Sequence, residues 1–105
     1  MSENSEKTSI ARTILQQLGG GRFTAMTGAR RFLAIDNGLR FALPARFAKD
    51  RITLVTIKLN AQDTYDVEFG SVYRKTYSVI REYEGVYDDG LQATFTEATG
   101  LETRL

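Results

Sequence analysis

The chain has 105 residues, of which 42% are hydrophobic and 26% charged, and a net charge of +1, as befits one globular domain with a single core. It contains no cysteine and no histidine, which excludes disulfides, thiolate nucleophiles, Ser-His-Asp triads, zinc hydrolases and histidine phosphorelays. No apolar run approaches the roughly 20 residues that cross a bilayer, and the polar start MSENSEKTS is wrong for a secretory signal, so a cytoplasmic location is expected.

Residues 1–5 are expected to be disordered, and a helix is predicted over residues 6–18. Ile10, Ile14, Leu15 and Leu18 recur at the spacing of one helical face. Ser5 is the expected N-cap, Glu6 suits the positive end of the dipole, and Gly19 stands where a left-handed C′ residue is wanted. Beyond the glycines the apolar period shortens. Arg22–Met26 and Arg31–Ile35 read as strands joined by a turn at Thr27-Gly28-Ala29-Arg30. Asp36-Asn37-Gly38 is a tight-turn signal before a strand over Leu39–Leu43. Pro44 ends that strand, and Ala45–Asp50 is a connector with room for one helical turn.

Arg51–Leu59 is dense in β-branched residues and is predicted to be a central strand. Thr64–Phe69 follows, with Tyr65, Val67 and Phe69 on one face and Thr64, Asp66 and Glu68 on the other, until Gly70 breaks it. Val72–Tyr83 reads as a strand with Tyr77, Val79 and Tyr83 on one face, with a helix as the alternative that its β-branched and aromatic content argues against. A last helix is predicted over Gly90–Thr99, with Asp88 and Asp89 at its positive end and Gly100 as its C′ residue. The class is therefore α+β: an N-terminal helix, an antiparallel sheet of five or six strands and a C-terminal helix, in one domain over residues 1–105 with no internal repeat.

The stretch GGGRFTAMTGARR over residues 19–31 raises the question of a phosphate cradle. A P-loop needs G-x-x-x-x-G-K-[ST] with a strand before it and a helix after it. Here the glycine spacing is too long, no Lys-Ser/Thr follows, and the order of elements is reversed. A dinucleotide fingerprint fails on the same grounds. The stretch reads as a helix-to-strand link and a turn, leaving Arg22, Arg30 and Arg31 beside hydroxyls with no structural account. Asp63, Asp66 and Glu68 do not match a calcium loop, and no metal or cofactor is expected. Tyr65, Tyr73, Tyr77, Tyr83 and Tyr87 are placed in the core or at an interface, with base stacking as the alternative.

Charge is uneven along the chain. Residues 1–50 hold eight basic and four acidic residues, and residues 51–105 hold six and nine, so the halves carry +4 and −3. Either the first half presents a polar binding surface or the two halves neutralise one another in the fold.

The segments ILQQLGG (14–20), RFTAMTGARRF (22–32), ITLVTIKLNAQDTYDVEFG (52–70) and YEGVYDDGLQATFTEATGL (83–101) together resemble a family of small uncharacterised proteins of bacteriophages and mobile genetic elements. The chain departs from that pattern at Ala61-Gln62, where the family would have a glycine-leucine turn. The resemblance implies a genetic setting and no mechanism. With no catalytic equipment in view, a non-enzymatic accessory protein is expected that binds a partner protein, such as a host defence or replication enzyme, with a homodimer through exposed edge strands also open. The alternative is a small nucleic-acid-binding module. The residues expected to make either contact are Arg22, Arg30, Arg31, Arg40, Tyr65 and Tyr73, with Arg46 added for phosphates. The two readings part on whether the arginines share one face.

Overall fold

The structure, a computed structural model, describes residues 2–103, with side chains from Thr8 onward. It is an α+β fold in two layers: a five-stranded antiparallel sheet in the order β1-β2-β3-β4-β5, with helices over one face. The first helix, α1 (Ser2–Leu18), buries Ala11, Ile14 and Leu18 against the sheet. It starts before Ser5, so the expected N-cap lies inside the helix, and its side chain falls outside the described residues. The disorder expected over residues 1–5 concerns the same undescribed side chains and Met1. Gly19 ends α1 with φ 126°, and its N–H donates to the carbonyls of Leu15 and Gln16, as a C′ glycine does.

The predicted strand Arg22–Met26 is instead part of a helix, α2 (Gly20–Thr27). Tertiary packing overrides the local β-leaning pattern here: the helix buries Phe23 and Thr27, four residues apart, and leaves Ala25, which a strand would place on their face, exposed. Gly28 closes α2 in the left-handed region, its N–H on the Thr24 carbonyl. Thr27 Oγ1 donates to the Phe23 carbonyl at 2.8 Å and accepts from Ala29 N–H at 3.2 Å.

β1 (Arg30–Ile35), β2 (Gly38–Ala42) and β3 (Leu54–Leu59) follow, the first two joined by the Asp36-Asn37 turn with Asn37 at φ 58°. β3 is the central strand, as its composition predicts. β4 (Tyr65–Tyr73) passes straight through Gly70 instead of breaking there, and pairs with β5 (Thr76–Val86) across an Arg74-Lys75 turn. The predicted strand Val72–Tyr83 is thus the end of one strand, a turn and most of another. Register shifts in this pair also overturn the expectation that Tyr77, Val79 and Tyr83 share a face. Tyr83 pairs with buried Val67 on the helix side, whereas Val79 pairs with Gly70 on the other side, because each extra residue in a bulge reverses the alternation that follows.

The last helix, α3 (Leu91–Thr99), is preceded by a 3-10 turn at Asp88–Gly90. Asp88 Oδ1 accepts from Asp89 N–H at 2.8 Å, and the N-cap of α3 is Gly90 without a side-chain cap. The two aspartates therefore shape the turn and do not cap the helix. Gly100 closes α3 at φ 77°, as predicted.

The core lies between the layers. Phe23 of α2 and Phe95 of α3 meet with ring centroids 5.0 Å apart, and Phe23 meets Phe41 of β2 at 5.5 Å, both edge to face. That geometry sets the positive edge of one ring on the negative face of the next. No helix among the described residues is long and apolar enough to cross a membrane.

Candidate functional site

The antiparallel register decides which loops meet. Arg30 pairs with Ala42, Ala42 with Leu54, Leu54 with Gly70, and Tyr73 with Thr76. The start of β1, the loop over residues 43–53 and the β4–β5 turn therefore lie at one end of the sheet. They bring Arg30, Arg31, Arg46, Lys49, Arg51, Arg74 and Lys75 to that end, and all seven are exposed. None of the seven is ion-paired among the described residues. Among the acids near this end, Glu97 acts on the Arg81 guanidinium, and Asp50 already accepts a 2.7 Å bond from Arg81. That bond also raises the Arg81 pKa, as a carboxylate partner does for any cation. The opposite end carries Asp36, Asp63, Asp88 and Asp89 in its loops. The charged loops are thus sorted between the two ends of the sheet.

Backbone conformation marks the same end. Among the described residues, five of the eight non-glycine residues with positive φ are cations from this set: Arg31, Arg46, Arg51, Arg74 and Lys75, at φ 51–67°. A left-handed conformation costs an L-residue roughly 1–2 kcal/mol. Glycine or asparagine would avoid most of that cost, so these positions keep a long cation where a cheaper residue would turn the chain.

The sequence-predicted residues separate. Arg30, Arg31 and Arg46 join the cationic end. Arg22 does not: it is exposed on the first turn of α2, in the helical layer. Just before α2, the Leu18 carbonyl accepts from Gln92 Nε2 at 2.9 Å, which ties the end of α1 to the start of α3. Arg40 stands on the uncovered sheet face, its Nε donating to Thr56 Oγ1 at 3.3 Å. Its neighbours line a shallow depression of about 280 Å³ with Lys58, Asp66, Glu68, Glu82 and Glu84, a surface whose four carboxylates repel phosphate. Tyr65 is 5% exposed, its hydroxyl donates to Gln17 Oε1 at 2.7 Å, and burial raises its pKa. It is a core residue with no surface to offer a partner. Tyr73 is 64% exposed at the cationic end, with the Arg74 guanidinium 5.2 Å from its ring centroid.

Reading by sequence missed Lys49, Arg51, Arg74 and Lys75. The signal available for the last two was the polar pair Arg74-Lys75 between two β-rich runs, which is hairpin spacing without the usual Asn-Gly. Of the residues read as a metal possibility, Asp66 accepts from Asn60 Nδ2 at 3.0 Å and Glu68 from the Tyr77 hydroxyl at 2.6 Å, so both already hold loop and strand together. No protein-family model, no curated protein and no solved structure matches the chain.

Proposed function

We propose that this protein is a non-catalytic nucleic-acid-binding module that seats a phosphate backbone on the cationic end of its sheet. The observation that carries this reading is the convergence of seven exposed Lys and Arg side chains, none ion-paired among the described residues, from three separate segments of the chain. Neighbouring strands lie about 4.8 Å apart, so the edge-to-edge width of five strands is roughly 19 Å, enough to track several phosphates. Backbone neutralisation needs no pocket and no catalytic group, only cations spaced along a surface. The modest net charge is no obstacle, because four acids sit in the far-end loops and four more on the uncovered sheet face.

The test is fluorescence anisotropy with labelled single- and double-stranded DNA and RNA at low and moderate salt. Binding should weaken steeply with salt. Arg30→Ala/Arg31→Ala should weaken it further and flatten the salt slope by about two. Arg22→Ala/Arg40→Ala, which removes equal charge away from this end, should bind as the parent does. Salt-independent binding, or equal loss in the two variants, would sink the proposal.

A protein partner is the second reading, favoured by the uncovered sheet face, where Leu33, Val72, Tyr77 and Val79 are 39–54% exposed. It takes precedence if no nucleic acid binds at low salt. The small phage or mobile-element setting implied by the sequence resemblance suits either reading and adds no residue to it.

A further inference from the structure

We infer that the cationic end takes single-stranded nucleic acid, with bases stacking on Phe47 and Tyr73; this rests on the nucleic-acid reading above. Phe47 is 52% exposed and Tyr73 64% exposed, and each belongs to one of the loops that supply the cations. Phe47 directly follows Arg46 and lies two residues before Lys49; Tyr73 directly precedes Arg74 and Lys75. Each aromatic therefore comes with its own cations. At Tyr73 the pairing is seen in the geometry, since the Arg74 guanidinium lies over the ring.

The core does not require either ring to be outside. Phe23, Phe41, Phe69 and Phe95 are all buried to 1% exposure or less, and Ala48 and Ile52 seal the loop that carries Phe47. Leaving a phenylalanine half in water forfeits much of the stabilisation its full burial would bring. The residues around it are anchored: Leu43 N–H donates to the Thr53 carbonyl, Thr53 N–H to the Gly70 carbonyl, and Phe47 N–H to the Pro44 carbonyl. The rings are thus offered from fixed backbone.

Aromatic rings among phosphate-binding cations match the chemistry of a single strand. Unpaired bases expose π-faces that stack on aromatic side chains, and the phosphates between them need neutralising. A duplex hides those faces in its own stack and would use only the cations. The composite surface is wasted on a duplex and fully used by a single strand.

The probes are a labelled oligothymidylate and a duplex of equal length, titrated at one salt concentration. The parent should bind the single strand more tightly. Phe47→Leu/Tyr73→Leu keeps apolar bulk without the ring, and should weaken single-strand binding about tenfold or more. Its duplex affinity and its salt slope should be unchanged. Tyr73→Phe alone should bind as the parent does, and circular dichroism melts check that each variant is folded. Equal affinity for the two probes, or no loss in the double leucine variant, overturns the stacking inference while leaving the electrostatic reading intact. Absence of any salt-dependent binding removes both.

Discussion

Tyr77 and Gly70 form one unit on the uncovered sheet face. The ring of Tyr77 lies over Gly70, where a Cβ would overlap it, and its hydroxyl donates to Glu68 Oε2 at 2.6 Å. Burial beneath the ring, and next the bond to Glu68, raise the phenol's pKa well above its ordinary value of 10.0: desolvation disfavours the phenolate, and a carboxylate acceptor holds the proton in place. The fold thus prefers the neutral phenol. That preference contributes stability fully below pH 10 and loses it as pH rises from there toward the folded-state pKa. Denaturant titrations on either side of pH 10 should show an alkaline decline in stability that Tyr77→Phe partly removes. At neutral pH the same substitution should cost about 1 kcal/mol, the net worth of one exposed hydrogen bond. An alkaline decline of equal size in both proteins would assign it to other groups.

The β4–β5 hairpin carries its own conflict between conformation and composition. Arg74 and Lys75 have φ of 51° and 67°, the pattern of a turn that Asn-Gly fills without strain. Arg74→Asn/Lys75→Gly should therefore raise unfolding free energy by about 1–2 kcal/mol while weakening nucleic-acid binding. Opposite movement of melting temperature and affinity would show that the cations are kept against the interest of stability. A fall in both would mean that the turn relies on contacts of these two side chains. Helices α2 and α3 show the converse, where composition and conformation agree twice. FTAMTGA (23–29) and FTEATGL (95–101) share Phe-Thr-x-x-Thr-Gly. In both, the second threonine donates to the phenylalanine carbonyl four residues back, at 2.8 Å and 2.7 Å. Its oxygen then accepts the N–H beyond the glycine. This short repeat, unnoticed in the linear reading, was the signal that residues 22–26 are helical: its second copy reads as a helix end.

At the scale of the molecule, Phe95 joins the layers. It touches Phe23 of α2 at 5.0 Å, and Phe41 and Phe69 of the sheet at 6.3 Å each. Phe95→Ala should cost about 3–5 kcal/mol. That is a large share of the 5–15 kcal/mol typical of a domain, and it would appear as a steep drop in the denaturant midpoint. Midpoints within experimental error of the parent would place the core elsewhere. The sequence by itself determined the class, the helical N-terminus, the central strand and both closing glycines of α1 and α3, because periodicity, β-branching and C′ glycines act over a few residues. It also determined the absence of histidine and cysteine chemistry. Only the tertiary structure decided that two bulges split the faces of β5, and that Arg22, Arg40 and Tyr65 leave the candidate site while Lys49, Arg51, Arg74 and Lys75 enter it. Those outcomes follow from strand register, which joins loops more than 20 residues apart in sequence, and no local pattern of charge records which loops will share an end of the sheet.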